Sequence, residues 1–211
     1  MAFWRKKPYD RAEILAAADK ARAQGRIRKA VAGYRKVLAV DPNDVAVHGK
    51  IAPLLARRHE PEEALRSFQF AAQGHLKAGF QDRALAVYVQ AAAHFPEEAW
   101  IWDEIARLHL LRGRRADAVN ALLDGGTRLG RQVRPKGIAL LRKALEIEPW
   151  HLEATLALGR LLRKSGEAVE ALDLLEDLVA RVRGKGRRRV RRAIFGMSPT
   201  PGNAWRWLRG K

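Results

Sequence analysis

The stretch that decides the fold is Gly25–Pro42, GRIRKAVAGYRKVLAVDP. A small residue, Ala30, and a ring, Tyr34, stand four positions apart within it. This spacing places both on one close-packing face of a helix of about four turns. Gly25 suits the turn before this helix, because glycine accepts turn conformations, and Pro42 ends it, because proline cannot continue a helix.

The same pattern returns once, which matters more than either copy alone. The second copy comprises Gly79, Ala84, Tyr88, Ala91 and Pro96. Elsewhere, apolar residues recur at helical spacing between short breaks that carry glycine or proline, and no segment alternates with period two over the length of a strand. The sequence therefore predicts an all-α protein of about ten to eleven helices, with consecutive helices as antiparallel neighbours.

Composition excludes several classes of protein. Of the 211 residues, 47% are hydrophobic and 30% are charged, which is typical of a folded chain. There is no cysteine, so disulfide frameworks, thiolate zinc sites and cysteine nucleophiles are excluded. The N-terminus has no apolar core of signal-peptide length, and no run approaches the roughly 18 apolar residues of a membrane span. We therefore expect a cytoplasmic, soluble chain.

Self-similarity at 34 residues indicates stacked helical hairpins, none of which can bury its apolar face alone. The chain resembles the tetratricopeptide repeat over roughly residues 10–182. The residues that carry the resemblance, and that it assigns to repeat packing, are Gly25, Ala30, Tyr34, Pro42, Ala64, Phe68, Gly79, Ala84, Tyr88, Pro96, Trp102, Gly113, Ala118, Gly159, Gly166 and Ala171. The resemblance implies a right-handed solenoid of antiparallel helix hairpins.

The repeat spacing departs from a uniform array. The small-residue markers, with Gly137 in the place of an alanine, are separated by steps of 34, 20, 34, 19 and 34 residues. The helix around Phe68 then serves two hairpins, and the larger unit has three helices and about 54 residues. Either this is a true three-helix module or two degenerate repeats have lost a helix. We favour an irregular solenoid over a globular bundle.

Charge divides the chain into three predicted segments. Residues 1–9 form a basic lead-in, residues 10–182 the helical repeat domain, and residues 183–211 a basic helix followed by a flexible tail. The net charge is +18, and the last 31 residues hold 11 Lys or Arg and no Asp or Glu. A basic helix is predicted over Arg187–Phe195. Such a density of arginine is hard to pack unless an anion lies beside it.

No pattern of catalytic residues is present. The six histidines form no HExxH motif, and the three serines form no GxSxG elbow. The glycine-rich pieces follow no predicted strand, so they are not phosphate loops, and paired carboxylates at helix starts are explained by the helix dipole. We therefore predict a protein that is not an enzyme and that has no catalytic, cofactor or metal site.

If the protein is not an enzyme, the alternative function is binding of another molecule. In the family that the chain resembles, the first helix of each hairpin lines a concave groove that holds a peptide or helix. The resemblance places these side chains in that groove: Gln69, Gln73, Trp100, Asp103, Arg107, Leu156, Arg160 and Arg163. It implies an adaptor for a protein partner, and the exposed Trp and Arg favour an amphipathic or acidic segment. The competing interpretation is that these are ordinary solvated positions.

The basic C-terminus offers a second contact. The predicted anion-binding residues are Arg187, Arg188, Arg189, Arg191, Arg192, Trp205, Arg206, Trp207 and Arg209. They could form a solvated tail, bind an anionic membrane surface or bind nucleic acid. The tryptophans favour a surface anchor or a docking peptide slightly, although rings also stack on bases. The alternative function is thus a nucleic-acid-binding protein that uses this segment.

Overall fold

The computed structural model describes residues 9–200, Gly202 and Trp205. Within this part of the chain there are eleven helices and no strand, which confirms the predicted all-α class and the number of helices. The helices are α1 Arg11–Ala23, α2 Ile27–Leu38, α3 Val45–Arg57, α4 Pro61–Lys77, α5 Gln81–His94, α6 Ala99–Leu111, α7 Arg115–Gln132, α8 Arg134–Ile147, α9 Leu152–Ser165, α10 Ala168–Arg181 and α11 Gly184–Met197.

Local sequence sets where the helices begin and end. The side chain of Asp10 accepts a hydrogen bond from the backbone N–H of Glu13 at 3.1 Å and so caps α1. Asp44 caps α3 in the same way, accepting from the N–H of Val47 at 3.0 Å. Between α1 and α2, Gly25 adopts φ +70°, a left-handed conformation that favours glycine.

The described residues up to His94 form one compact unit. In it α1 pairs with α2, α2 packs on α3, and α4 packs against both α3 and α5, which also contact each other. Tyr34, Phe68 and Tyr88 are buried in this unit, and each is at most 2% exposed. Because α4 serves two neighbours, α3–α5 is the three-helix module that the 54-residue spacing allows.

The described residues from Phe95 onward form the second unit. Here α7 packs against α6 and α8, which contact each other, and α9 contacts α7, α8, α10 and α11. The helices α6–α8 and α9–α11 are therefore two further groups of three. Their core includes Leu141, Leu158 and Leu162, all nearly or completely buried.

The residues assigned to repeat packing fall into two groups. Most are buried on helix faces: Ala30, Tyr34, Ala64, Phe68, Ala84, Tyr88, Trp102, Ala118, Gly159 and Ala171. The others lie at helix junctions: Gly25, Pro42, Gly79, Pro96, Gly113 and Gly166. Each of the four junction glycines has a positive φ, so the sequence pattern marks turns as well as packing.

Glycine is expected to weaken the end of a helix, but the glycines near the end of α7 do not. The helix is continuous to Gln132, and Gly125, Gly126 and Gly130 are all buried. A Cβ at Gly125 would lie 2.4 Å from Cγ of Trp102. The conformational cost of glycine is thus offset by close packing against a neighbouring helix.

The basic segment packs, although the sequence indicated that its arginines are hard to pack without an anion beside them. Helix α11 is longer than the predicted Arg187–Phe195 and contacts α9 and α10. It buries Val190 completely and Ile194 to 7% exposure. The anion that the arginines require is supplied within the chain, since Arg189 pairs with Glu153 on α9. The three-segment division at residues 9 and 182 stays a prediction.

Candidate functional site

The structure separates the eight predicted groove residues into two groups. Gln69 and Gln73 are exposed on α4 in the first unit. The other six belong to the second unit, with Trp100, Asp103 and Arg107 on α6 and Leu156, Arg160 and Arg163 on α9.

The three residues on α6 contact nearby side chains. Asp103 accepts a hydrogen bond from Nζ of Lys143 on α8 at 2.8 Å, and Arg107 pairs with Glu104 at 2.6 Å. The indole N–H of Trp100 donates to a carboxylate at 3.1 Å, and the side chain is half-buried. These contacts join α6 to itself and to α8. They do not bring the α6 residues together with those on α9.

Leu156, one of the predicted groove residues, is mostly a core residue. It is 7% exposed and packs in a cluster with Leu175, Leu178 and Val190. The reason is that α10 and α11 both pack on this part of α9 and cover it. Its edge still lines a pocket beside Arg160 and Arg163.

Two pockets with a shared wall form a strongly charged concave surface. The first, of about 550 Å³, lies between α7 and α9 and is lined by Leu123, Asp124, Thr127, Arg128, Arg131, Glu153, Ala157 and Arg160. The second, of about 430 Å³, lies between α9 and α11 and is lined by Leu156, Arg160, Arg163, Arg189, Arg192, Ala193, Gly196 and Met197. Arg160 belongs to both, so we treat them as one surface, the arginine groove.

Each helix of the arginine groove contributes a pair of arginines three residues apart. The pairs are Arg128 and Arg131 on α7, Arg160 and Arg163 on α9, and Arg189 and Arg192 on α11. Residues at i and i+3 lie on one helix face, and packed helices are typically about 8–10 Å apart. The six guanidinium groups face two lining carboxylates, Asp124 and Glu153. The groove is therefore strongly cationic.

Hydrogen bonds fix part of this cationic surface. Nε of Arg160 donates to the carbonyl oxygen of Leu156 at 3.0 Å, and Nη1 of Arg163 donates to that of Gly196 at 2.8 Å. A guanidinium has five N–H donors, so each group keeps others for a ligand. The guanidinium of Arg128 lies 5.8 Å from the ring centroid of Trp102. The groove is thus partly ordered before any ligand arrives.

Glu153 forms an ion pair within this cationic surface. Both of its carboxylate oxygens accept from the guanidinium of Arg189, one of them at 2.8 Å from Nη2. The hydrogen bonds from Arg189 hold the pKa of the Glu153 carboxyl below its usual range, against the opposing effect of partial burial. Glu153 is therefore ionised at neutral pH and already occupies one guanidinium of the groove.

The floor of the groove is apolar. Leu123 and Ala157 lie in the first pocket, and Ala193 and Met197 lie in the second. None of the residues that line either pocket is aromatic. A ligand would meet aliphatic surface below and positive charge at the rim.

Sequence reasoning found Arg160 and Arg163 but missed the other two walls. The signal was the motif R-x-x-R, of which three copies, at Arg128, Arg160 and Arg189, are separated by 32 and 29 residues, close to the repeat length; further copies begin at Arg112, Arg131, Arg188 and Arg206. Arg189 and Arg192 were assigned to the anion-binding tail instead. Of the other tail residues, Arg187, Arg188 and Arg191 lie on α11. Trp205 is 56% exposed, and Arg206, Trp207 and Arg209 lie outside the described residues.

The described histidines contact rings and backbone, and no metal cluster is seen there. The ring of His48 lies 4.4 Å from that of Phe70, and that of His94 lies 6.1 Å from that of Phe68. In the part of the chain that the structure describes, no group of three or more His, Asp or Glu side chains could hold a metal ion. The predicted absence of a metal or catalytic site stays a prediction.

A family comparison now bears on this surface. The tetratricopeptide repeat family matches residues 136–192, which run from the first turn of α8 into α11 and include the α9 and α11 walls of the groove. Over these residues the chain is similar to the tetratricopeptide repeat. Proteins built from this repeat are generally scaffolds for protein–protein interaction and typically not enzymes. The match also includes most of α11, in agreement with its packing as a repeat helix rather than a separate tail.

Solved structures similar to this chain include three bacterial proteins. A tetratricopeptide repeat protein from Parabacteroides merdae is 12% identical, with 95% of this chain and 90% of that chain covered and a TM-score of 0.34. MamA from Desulfovibrio magneticus is 16% identical, with 82% of this chain and 95% of that chain covered and a TM-score of 0.34. PilF from Pseudomonas aeruginosa is 16% identical, with 95% of this chain and 88% of that chain covered and a TM-score of 0.30. No curated protein matches the chain significantly. Likeness at this level says nothing about what the chain binds.

Proposed function

We propose that the chain is a non-enzymatic adaptor that holds an acidic, amphipathic segment of a partner protein in the arginine groove. The observation that carries the proposal is the set of three arginine pairs on α7, α9 and α11 around an aliphatic floor. Arginine suits this task because its planar guanidinium binds a carboxylate through two parallel hydrogen bonds.

The charged rim and the apolar floor of the groove each favour a different property in the partner. The guanidinium groups favour carboxylates, which lower the repulsion among six like charges. The floor at Leu123, Ala157 and Met197 favours aliphatic side chains that lose water on binding. A helix with acidic and apolar faces offers both, and recognition of such a helix in a groove is a common mode of protein binding.

The lining favours a peptide over a nucleic acid. Proteins that bind single strands usually add aromatic platforms on which bases stack, and such stacking contributes about 1–3 kcal/mol per base. No aromatic residue lines either pocket, and Trp102 beneath Arg128 is only 8% exposed. The groove therefore provides charge and aliphatic contact but no stacking surface.

Reversing two central charges tests the proposal. Arg160→Glu with Arg163→Glu should weaken binding of an acidic probe peptide roughly tenfold to thirtyfold, because exposed ion pairs contribute up to about 1 kcal/mol each. The probe is a labelled helical peptide of about four turns, with glutamate on one face and leucine on the other. Fluorescence anisotropy at physiological salt measures the affinity.

The matched control is Arg28→Glu with Lys29→Glu, on the exposed surface of α2 in the first unit. It changes the net charge of the chain by the same amount. We expect its affinity for the acidic probe peptide to stay within about twofold of the wild type, and both double variants to keep their thermal melts, since exposed substitutions shift stability by about 0.5 kcal/mol or less. Equal losses in the two variants would show non-specific attraction and sink the groove assignment.

We further propose that the residues after α11 make a second contact with an anionic membrane surface. Clustered Lys and Arg near such a surface contribute about 1 kcal/mol each, and tryptophan suits the interface. Trp205 is exposed in this segment, and residues 206–211 add three more basic side chains and a second tryptophan. No described helix is long and apolar enough to cross a membrane. The predicted cytoplasmic location stays a prediction.

Truncation after Thr200 tests this second contact and keeps α11, which the structure shows to be packed. We expect sedimentation with phosphatidylglycerol vesicles at physiological salt to fall at least about threefold, as loss of three basic residues and two tryptophans predicts. A chain with Trp205→Ala and Trp207→Ala should show part of the loss. If the truncation instead abolishes binding to mixed-sequence RNA, with a steep salt slope and no lipid preference, the segment binds nucleic acid and the membrane proposal is wrong.

A further inference from the structure

Glu153 stands where the partner of the arginine groove would place a carboxylate. It lies in the first turn of α9, lines the pocket between α7 and α9, and reaches Arg189 in the pocket between α9 and α11. Both carboxylate oxygens bind one guanidinium, the geometry expected for a bound acidic ligand. The groove therefore holds one carboxylate of its own.

We infer that Glu153 is an internal competitor that a partner's carboxylate must displace from Arg189. The inference rests on the proposed function of the groove. Displacement is feasible because neither side chain is locked in place: Glu153 is 44% exposed and Arg189 is 52% exposed. The exchange trades one arginine–carboxylate pair for another, so the net gain from Arg189 is smaller than it would be in an empty groove.

The two arginines of the groove on α9 differ from Arg189 on α11 in this respect. Arg160 and Arg163 donate to backbone carbonyl oxygens through one nitrogen each, and neither makes an ion pair within 4 Å among the described residues, although the charge of Arg160 also helps to lower the pKa of Glu153. A partner can therefore bind these two without displacing an acid. Glu153 thus sets the affinity of one end of the groove and leaves the other end open, which favours partners that bring several carboxylates over those that bring one.

A purely structural role for the pair makes a different prediction. In that case the bond between Glu153 and Arg189 holds α11 on α9, and its loss would loosen the wall of the pocket. The structure provides other attachments for α11, because Val190 and Ile194 are buried and Arg163 binds the Gly196 carbonyl. Loss of the pair should therefore leave α11 docked.

Glu153→Gln tests the competitor directly. The change removes the charge but keeps the shape, and it should raise the affinity for the acidic probe peptide about fivefold, the effect of one exposed ion pair. Asp124→Asn is the matched control, because Asp124 is the other carboxylate that lines the groove and has no bond to Arg189. It should raise the affinity by less than about twofold. The readout is anisotropy with the intact chain at physiological salt.

The background of Arg189→Gln separates competition from general electrostatics. There the guanidinium of Arg189 is gone, and the gain from Glu153→Gln should fall well below fivefold, to what the weaker attraction between Glu153 and Arg160 leaves; the comparison is a double-mutant cycle for the pair. Hydrogen exchange of α11 amides reports whether the helix stays docked. A gain that persists undiminished without Arg189, a gain no larger than that of the control, or a weaker affinity with faster α11 exchange would each overturn the inference.

Failure of the inference and failure of the proposed function give different results. If the wild type binds the acidic probe peptide and loses it on Arg160→Glu with Arg163→Glu, while Glu153→Gln changes nothing, only the competitor is wrong. If neither the wild type nor Glu153→Gln binds the peptide, both the groove function and the competitor are wrong.

Discussion

Replacing Gly137 with alanine should lower the free energy of unfolding by about 3 kcal/mol, the upper end of the usual cost of overpacking. A Cβ at Gly137 would lie 2.6 Å from both Cα and N of Gly130 and 2.7 Å from the carbonyl oxygen of Gly126. These are backbone atoms that cannot rotate away. The methyl group would therefore push α8 from α7 rather than displace a side chain.

The prediction is unusual because alanine occupies the corresponding place in other repeats. Ala84, Ala118 and Ala171 are all completely buried at that position. Urea denaturation followed by circular dichroism measures the change, and Gly49→Ala is the matched control, since its Cβ would meet only Ala71 at 3.9 Å. The control should be neutral or stabilising by up to about 1 kcal/mol, as expected for glycine to alanine within a helix. If Gly137→Ala is as stable as the wild type, the close approach of α7 and α8 is wrong.

Tyr34→Ala should destabilise the first unit by about 3 kcal/mol or more, as truncation of a large buried ring does. The ring is completely buried, and the hydroxyl donates to Oδ1 of Asp19 at 2.6 Å. Asp19 also accepts from Nζ of Lys50 at 2.7 Å, so the ring and a polar network join α1, α2 and α3. Burial and the hydrogen bond to Asp19 raise the pKa of the Tyr34 hydroxyl, so it stays a donor at neutral pH.

Two further variants separate the ring from the hydroxyl in the same denaturation experiment. Tyr34→Phe should cost about 1 kcal/mol, the typical net contribution of one hydrogen bond. Tyr88→Ala should behave like Tyr34→Ala, because Tyr88 is only 2% exposed. Tyr9→Ala, at a ring that is 46% exposed, should change little. Near-neutral effects of alanine at both Tyr34 and Tyr88 would contradict the repeat packing.

Local signals in the sequence were sufficient to predict the helices. Asp10 and Asp44 cap the starts of α1 and α3, and Gly25 marks a turn with positive φ, because these effects depend on a few neighbouring atoms. The 54-residue spacing, which is visible in the positions of the small residues, also indicated a three-helix unit.

Contacts between distant residues could not be predicted in this way. Glycines near the end of α7 read as helix breakers until the ring of Trp102 is known to lie against Gly125. The basic C-terminal segment read as a tail, because nothing in its own composition shows that Glu153 would pair with Arg189. The burial of Leu156 was missed for the same reason, since it comes from residues of α10 and α11 and not from α9.

The sequence predicted only part of the arginine groove, because only one of its three walls was assigned to a partner groove. Arg160 and Arg163 on α9 line it, whereas the α7 wall was missed because α7 was treated as the second helix of one hairpin only. The structure shows that α7 also packs on α8 and contacts α9, so it serves as the first helix of the next pair. A search for charge pairs that recur at the repeat length would have found Arg128 and Arg131.

The measurement that tests the arginine groove most directly is the site of photo-crosslinking. The acidic probe peptide carries a photoreactive leucine analogue on its apolar face and is irradiated with the intact chain at physiological salt, and the crosslinked residues are identified by mass spectrometry. The account predicts crosslinks within residues 123–131, 153–163 and 189–197, which decline in Arg160→Glu with Arg163→Glu. Crosslinks confined to residues 9–94, or spread evenly over the described helices, would contradict it.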